Sequence, residues 1–207
     1  MRLICGIDEA GRGALFGPVV VAACVFKEST SVKGLKDSKA LSPHQRITLF
    51  HRIISVAEDY YWIMVGPKRI DEYNILKACL FGFNKCIERV RADVYIIDGP
   101  HSCEPKRSDV MAVPKADSIH EPVMAASVLA KVIRDTLISQ MSEKYAVYGL
   151  SQNKGYGTVA HRESIQEFGL SRMHRASFCK RWTQTRAGAR NNKESAQHEV
   201  VEKSILL

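Results

Sequence analysis

Two adjacent acidic residues interrupt an apolar run near the start of the chain, in 5-CGIDEAGRGALFGPVVVAACVF-26. Residues 2–8 predict a short buried strand, and a glycine-rich turn leads from it to a second predicted strand over residues 19–26, which indicates an antiparallel hairpin. Successive side chains of a strand point to opposite faces, so Asp8 and Glu9 can face one ligand only where the strand ends or twists between them. We expect the glycines after them to supply that break.

Two further acids stand at comparable points of the chain. Asp98 follows a predicted strand over residues 93–97, and Asp117 lies in the KADS segment that leads to a long predicted helix. Sheets of α/β proteins carry functional groups at the ends of strands and at the starts of helices. Carboxylates gathered at one point repel one another unless a cation lies between them, and oxygen ligands suit Mg²⁺ or Mn²⁺. The pattern therefore predicts a divalent metal site.

The remaining periodicity predicts a mixed α/β sheet. Aromatic and β-branched runs predict strands over residues 59–65 and 109–114. The spacing of apolar residues predicts helices that begin near residue 43 and that extend over about 74–90, 122–143 and 158–168. We expect residues 1–185 to form one α/β domain that includes a C-terminal helical region, and residues 186–207 to form a polar tail.

The charge balance favours a polyanionic partner. Thirty Lys and Arg residues against 22 Asp and Glu residues give a formal net charge of +8, and a basic surface attracts nucleic acid or an anionic membrane. Residues 151–190 concentrate this charge, and we expect their basic side chains to bind phosphates without reading base sequence. These side chains are Lys154, Arg162, Arg172, Arg175, Lys180, Arg181, Arg186 and Arg190.

The cysteines and the apolar runs bear on the cellular compartment. The six cysteines include no C-x-x-C pair, so neither a zinc site of the usual spacing nor a disulfide framework is indicated. The longest apolar run, residues 19–26, is far shorter than the roughly 20 residues that cross a bilayer. Asp8 and Glu9 also follow the N-terminus too closely to leave room for the apolar core of a signal peptide. We expect a soluble cytoplasmic protein that has no membrane partner.

A carboxylate metal site on a basic protein points to phosphodiester hydrolysis. Two metal ions about 3.5–4 Å apart can activate the attacking water and stabilise the leaving oxygen. The glycines are not read as a cofactor loop, because Gly11, Gly13 and Gly17 have neither dinucleotide-binding nor P-loop spacing. The residues leave two alternatives open: a two-metal nuclease or resolvase that cuts DNA, and a nucleic-acid-binding protein without catalysis.

Six segments resemble the bacterial ribonuclease HII family in their order and spacing. They are 7-IDEAGRG-13, 36-KDSKALS-42, 96-IIDG-99, 115-KADS-118, 125-AASVLAKVIRD-135 and 154-KGYGTVAH-161. The resemblance covers residues 2–182 and implies an RNase H-like fold, with a five-stranded mixed sheet, flanking helices and a C-terminal helical region. It also implies that the enzyme hydrolyses the RNA strand of RNA–DNA hybrids. The family further nicks duplex DNA on the 5′ side of embedded ribonucleotides and leaves 5′-phosphate and 3′-hydroxyl ends.

The resemblance implies roles for individual residues. The catalytic and metal-binding acids are Asp8, Glu9, Asp98 and Asp117. The substrate-binding residues are Gly11, Arg12 and Gly13 in a loop that senses the 2′-hydroxyl, Tyr156 against the sugar at the junction, and Lys39 as a weaker candidate. The implied cofactor is a pair of Mn²⁺ or Mg²⁺ ions. The implied partners are RNA–DNA hybrids and DNA duplexes that contain ribonucleotides, bound by a monomer.

One position departs from the family pattern. Ala116 precedes Asp117 where the bacterial enzymes usually have glycine. Because alanine is also small, we expect little effect on the position of Asp117. His161, a few residues after Tyr156, is expected to support the Tyr156 loop.

Overall fold

A five-stranded mixed sheet forms the centre of the computed structural model, which describes residues 1–35, 41–101 and 107–183. The strands are β1 (Leu3–Ala10), β2 (Val19–Lys27), β3 (Asp59–Val65), β4 (Val94–Asp98) and β5 (Val110–Val113). Their order across the sheet is β3-β2-β1-β4-β5. The first three strands pair in antiparallel fashion, whereas β4 is parallel to β1 and β5 is parallel to β4. β1 is therefore the central strand and has one neighbour of each kind.

Seven α-helices surround the sheet in the described ranges. They are α1 (Pro43–Val56), α2 (Pro67–Tyr73), α3 (Ile75–Arg89), α4 (Glu121–Met141), α5 (Leu150–Asn153), α6 (Val159–Phe168) and α7 (Ala176–Thr183). The start of α1 follows from its sequence, because the Ser42 side chain accepts a hydrogen bond from the Gln45 backbone N–H and Pro43 occupies the first turn. Pro122 likewise lies in the first turn of α4.

Helices cover both faces of the sheet, since alternate side chains of each strand point to opposite sides. Cys5 and Ile7 of β1 belong to the apolar core that contains Phe83 of α3. Ala10 of β1 belongs to the core on the other face, which contains Leu129 of α4 and residues of α1. Residues of β1 with odd numbers thus face α3, and residues with even numbers face α4.

A close contact at the centre of the sheet brings α4 to the strand ends. A Cβ atom at Gly6 would lie 2.1 Å from the backbone carbon of Pro122 and from the backbone nitrogen of Val123. Only glycine lets the first turn of α4 pack so closely on β1. The residues just before this turn and along its first half are therefore held beside the C-terminal end of β1.

A third apolar cluster attaches the C-terminal helices to the turn that follows β1. Leu15 and Phe16 of this turn pack with Ile138 of α4, Ile165 of α6 and Cys179 of α7. The turn is consequently enclosed between α4 and the C-terminal helical region. This packing determines where the glycine-rich segment after β1 can lie.

The structure confirms the predicted fold class, the hairpin and all five strands. The expected break between Asp8 and Glu9 is wrong, because β1 continues to Ala10 in unbroken pairing with β2. Helices α2, α5 and α7 were not predicted, since four to eight residues show too little periodicity. The predicted tail, residues 186–207, lies outside the described residues, and the boundary at residue 185 stays a prediction. Within the ranges described, no helix is long and apolar enough for a membrane crossing.

Candidate active site

The register of two parallel strands places two acids side by side. β1 and β4 pair so that Ile7 lies opposite Ile97, and the next residue on each strand is an aspartate, Asp8 or Asp98. Parallel strands run in one direction, so both side chains lie at the same edge of the sheet. Asp8 is 5% exposed, and Asp98, the last residue of β4, is partly buried.

The third acid comes from the connection between β5 and α4. After β5 the chain passes through Lys115, whose φ of 61° is left-handed, into a one-turn 3-10 helix, Ala116–Ser118. Ala116 is fully buried and packs with Ile96 and Val123, and it is not among the described residues with positive φ. An alanine therefore fits this position, as expected, and the neighbouring Asp117 is buried with 5% exposure.

These three acids form a compact cluster. One carboxylate oxygen from each of Asp8, Asp98 and Asp117 lies within 4.8 Å of the other two. Burial raises the pKa of Asp8 well above its ordinary value, and the charge of Glu9 raises this pKa further, against the opposite effect of a hydrogen bond from Ser127. A divalent cation would remove the repulsion among the three carboxylates, which are donors that Mg²⁺ and Mn²⁺ prefer. The donor set therefore fits a divalent metal ion.

Glu9 lies beside the cluster rather than within it. Its position in β1 directs its side chain to the α3 face, opposite to Asp8. Oε1 of Glu9 is 3.3 Å from Nη1 of Arg12, while the Glu9 backbone N–H donates to Oδ1 of Asp8 at 2.7 Å. Both acids nevertheless line one pocket, because side chains from the two faces meet where the strand ends.

The pocket has a volume of about 410 Å³ and includes the predicted sensing loop. Gly11 has a φ of +91°, and a Cβ atom there would lie 1.9 Å from Nε of Arg134, so both its backbone and its surroundings require glycine. Arg12 and Gly13 are exposed, and a Cβ at Gly13 would meet no atom within 4 Å. The loop is thus held at Gly11 and open to a ligand at the next two residues.

Tyr156 also lines this pocket, which brings the predicted junction tyrosine to the acids. Its ring centroid is 5.4 Å from Nζ of Lys131 and 5.0 Å from Cζ of Arg134. The Tyr156 carbonyl lies 2.9 Å from Nδ1 of His161, a contact that agrees with the expected support. Nε2 of His161 in turn lies 3.1 Å from Nε2 of His174.

Sequence reasoning missed two further pocket residues, Ser127 and Lys131. They lie one turn apart on α4, and Nζ of Lys131 forms an ion pair of 2.9 Å with Asp135. Arg134 lies close to the same face of the helix. The signal was available, because polar residues at spacings of four, seven and eight share one face of an otherwise apolar helix.

The expectation of one basic binding surface over residues 151–190 is wrong for Arg175. Its side chain is fully buried and donates from Nε to the Gly17 carbonyl at 2.9 Å and from Nη1 to the Arg12 carbonyl at 3.0 Å. Other basic residues of the region are exposed, namely Arg172, Lys180 and Arg181. Three predicted contacts lie outside the described residues, namely Lys39, Arg186 and Arg190.

Comparison with known proteins identifies the family of the chain. The sequence model of the family described as Ribonuclease HII matches residues 5–181. The chain belongs to the ribonuclease HII family. A ribonuclease HII from Caldicellulosiruptor bescii is 40% identical over 181 residues, which cover 86% of this chain and 87% of that protein.

Solved structures of ribonucleases H2 and HII share the fold. Ribonuclease H2 from Pyrococcus horikoshii OT3 is 30% identical, with a TM-score of 0.70 over 88% of this chain and 99% of that chain. The ribonuclease HII of a PCNA complex from Archaeoglobus fulgidus is 28% identical, with a TM-score of 0.72 over 86% of this chain and 94% of that chain. The fold is therefore RNase H-like.

Membership in the ribonuclease HII family gives the reaction. The chain is a type HII ribonuclease, an enzyme that hydrolyses the RNA strand of RNA–DNA hybrids. The family uses divalent metal ions, and the cluster of Asp8, Asp98 and Asp117 fits Mn²⁺ or Mg²⁺.

Proposed function

We propose that this ribonuclease HII nicks duplex DNA on the 5′ side of an embedded ribonucleotide and leaves 5′-phosphate and 3′-hydroxyl ends. One observation carries the proposal: Asp8 and Asp98 line the same pocket as residues 11–13 and Tyr156. Groups suited to cutting a phosphodiester and groups suited to touching a sugar therefore share one opening. A single ribonucleotide bound there would present its 5′ phosphate to the acids.

We infer that Asp8, Glu9, Asp98 and Asp117 hold the divalent ions. The three aspartates offer closely spaced oxygens, and Glu9 lines the pocket beside them. When bound, the ions supply a Lewis acid that polarises the phosphoryl group and lowers the pKa of the attacking water. The four carboxylates hold that charge at the end of β1 and β4, where the phosphate would arrive.

The loop of residues 11–13 is proposed to recognise the ribose. Arg12 and Gly13 are exposed residues, and the backbone at Gly13 can approach the sugar closely enough to bond the 2′-hydroxyl, because no side chain intervenes there. The Arg12 guanidinium, which pairs with Glu9 at 3.3 Å, adds positive charge for a phosphate. Lys39 remains a proposed substrate contact.

Tyr156 is proposed to lie against the deoxyribose that follows the ribonucleotide. Two cationic groups lie within 5.4 Å of its ring centroid, and these contacts help to hold the ring in place. Its partly buried ring supports a role as a rigid platform, and its hydroxyl can bond the 2′-hydroxyl.

We infer that the enzyme is a cytoplasmic monomer. The acids, the loop of residues 11–13 and Tyr156 meet within this chain, so the proposed catalysis requires no residue from a second copy. Five cysteines, Cys5, Cys24, Cys79, Cys86 and Cys179, are buried free thiols, which is consistent with a reducing compartment. The molecular mass in solution, measured by light scattering, tests the monomer.

A nicking assay tests the proposed function. Purified protein is incubated with Mg²⁺ or Mn²⁺ and a duplex DNA that carries one ribonucleotide, labelled on the cut strand. We expect one nick on the 5′ side of the ribonucleotide. A DNA polymerase should extend the upstream product, which requires a 3′-hydroxyl, and phosphatase should change the mobility of the downstream product, which requires a 5′-phosphate.

Two control duplexes separate the alternatives. An all-DNA duplex should remain intact, and cleavage of it would favour a general two-metal DNA nuclease. A continuous RNA–DNA hybrid should be cut in its RNA strand. Cleavage of the hybrid without any nick at a single ribonucleotide would overturn the proposal while leaving the family's reaction intact.

A further inference from the structure

We propose that Arg134 and Arg175 are positioning residues that hold the ribose-sensing loop against the Tyr156 segment and thereby determine discrimination between ribose and deoxyribose. Here the recognition turn means residues 11–18, and the Tyr156 segment means residues 154–158. The inference rests on the proposed function of these two segments. Neither arginine lines the pocket, so any effect on the substrate must pass through the residues that they hold.

Arg134 joins the two segments directly. Its side chain is fully buried and donates from Nη2 to the Phe16 carbonyl at 3.1 Å and from Nη1 to the Lys154 carbonyl at 3.0 Å. Nε donates to the Pro18 carbonyl at 3.2 Å. One guanidinium thus satisfies three carbonyls, two in the recognition turn and one in the Tyr156 segment.

The same guanidinium touches the two groups proposed to meet the sugar. A Cβ at Gly11 would lie 1.9 Å from Nε of Arg134, and the Tyr156 ring centroid is 5.0 Å from its Cζ. Arg134 therefore defines how closely the start of the sensing loop and the tyrosine ring approach one another.

Arg175 holds the recognition turn at other carbonyls. Its buried side chain donates to the carbonyls of Gly17 at 2.9 Å and Arg12 at 3.0 Å. Its backbone N–H donates to the Leu15 carbonyl at 2.8 Å. The contact with Arg12 lies in the middle of the sensing loop, where a shift of the backbone would move the groups that can bond a 2′-hydroxyl.

Backbone hydrogen bonds complete this connection. The N–H groups of Leu15 and Phe16 both donate to the Gly155 carbonyl, at 2.8 and 3.2 Å. The Gly17 N–H donates to the Met173 carbonyl at 2.8 Å. The recognition turn and the Tyr156 segment are thus one assembly, although they are about 140 residues apart in the sequence.

The chemistry of the side chain explains why arginine occupies both positions. Burying a charge is costly unless hydrogen bonds satisfy it, and the planar guanidinium can donate in several fixed directions at once. Arg134 uses all three of its nitrogens in this way, whereas Nη2 of Arg175 makes no hydrogen bond within the described residues. Burial lowers the pKa of Arg175 to about 10, so the group remains charged near neutral pH. A lysine would keep the charge but could not donate from several nitrogens in fixed directions, as the planar guanidinium does.

Conservative variants test the inference. Arg134→Lys and Arg175→Lys are compared with Arg91→Lys, which alters an exposed arginine before β4, at the strand end away from Asp98. Dissociation constants are measured in EDTA for a duplex with one ribonucleotide and for its all-DNA counterpart. kcat and KM are measured for nicking, and the shift in unfolding temperature on adding Mn²⁺ reports the carboxylate cluster.

We expect each of the two variants to lose most of the binding preference for the ribonucleotide and about 100-fold in kcat/KM, because small misplacements of orienting groups have effects of this size. The Mn²⁺ shift should be unchanged, and Arg91→Lys should match the wild type in every measurement. A merely structural role would lower the unfolding temperature and leave the binding preference of the folded protein unaltered.

The outcomes separate this inference from the proposed function. If the wild type nicks at a ribonucleotide and both variants retain its binding preference and kcat/KM, the positioning role is rejected. If neither variant folds, both arginines are structural and the positioning role is equally rejected. If the wild type shows no nick, the proposed function fails first. Loss of preference in one folded variant supports the role for that residue alone.

Discussion

The carboxylate cluster and the recognition turn border one pocket but differ in charge: the cluster gathers negative carboxylates, whereas positive guanidinium groups hold the turn. In the cluster, Asp8, Asp98 and Asp117 bring three acids together, and burial and Glu9 raise the pKa of Asp8. In the recognition turn, the backbone carbonyls already receive hydrogen bonds from the buried guanidiniums of Arg134 and Arg175. The acids need a bound metal ion to offset their repulsion, whereas the carbonyls of the turn are already bonded by guanidinium groups of the protein.

This difference separates the binding of metal by the acids from the proposed recognition of the sugar by the turn. Held by internal donors, the turn is preorganised, which suits its proposed contact with a sugar. The carboxylate cluster gains its full stability only when divalent ions neutralise it. Loading of metal should therefore change the stability and activity of the cluster, while recognition of the substrate should persist without metal.

The largest effect is expected from removing one charge of the cluster. Asp98→Asn should lower cleavage of a ribonucleotide-containing duplex by roughly a thousandfold or more, because each ligand contributes to metal-assisted stabilisation of the transition state. The dissociation constant for the same duplex should change little, since the recognition turn is intact. Asp59→Asn, at the exposed start of β3, is the matched control. Full cleavage activity in Asp98→Asn would remove this residue from the site.

A pH titration of the free energy of unfolding examines the pair of His161 and His174, which contacts the Tyr156 segment. Burial lowers the pKa of both His161 and His174, and the charge of His161 further lowers that of His174, to about 4. The Ser171 N–H donates to Nδ1 of His174, so its Nε2 carries the proton that bridges to His161, and the pair is neutral. Tyr148 packs against both rings.

The sign of this pH effect follows from the lowered pKa values. Well above pH 6.5 both histidines are neutral in the folded and unfolded states, and their contribution is constant. As the pH falls from 6.5 towards 4, the unfolded chain takes up protons that the folded pair resists, so stability is lost by about 2–3 kcal/mol. His174→Gln should flatten this part of the pH profile measured by urea unfolding. Equal slopes for wild type and variant would contradict the neutral pair.

Metal addition should stabilise only an intact cluster. At a hundredfold excess over the dissociation constant, a bound ion contributes about 2.7 kcal/mol, which corresponds to a rise in unfolding temperature of roughly 5–10 °C for a chain of this size. Differential scanning fluorimetry with Mn²⁺ should show this rise in the wild type and little of it in Asp8→Asn. Without metal, Asp8→Asn should be at least as stable as the wild type, because it removes a buried charge among acids.

The smallest effect is expected at Tyr156, which is proposed to lie against the deoxyribose. Tyr156→Ala should weaken binding of a ribonucleotide-containing duplex about tenfold through the lost contact with the sugar, and Tyr156→Phe, which loses only the hydroxyl, should weaken it less. Fluorescence anisotropy in EDTA measures both. The shift in unfolding temperature on adding Mn²⁺ should be the same in both variants as in the wild type. A loss of that shift in Tyr156→Ala would contradict the separation of the two regions.

Much of the fold could be predicted because its signals are local. Alternation and apolar runs mark the strands, and Asp98 follows directly on such a run. The position of Glu9 could not be predicted correctly, because the extension of β1 to Ala10 depends on pairing with β2. Arg175 looked like a surface charge, since its acceptors lie 158 and 163 residues away in the sequence. The spacing of Ser127 and Lys131 marks a polar face of α4, but only packing shows that this face meets the pocket.

The sequence by itself determined the family, the order of the strands along the chain, and the acids that stand where strands end. Only the tertiary structure decided that three of these acids converge, that Glu9 lies on the other face of β1, and that two arginines are buried beneath the recognition turn. The physical reason is that apolar periodicity is recorded in residue types, whereas a backbone carbonyl is present at every position. Which carbonyls a buried guanidinium meets therefore depends on the packing of the whole chain.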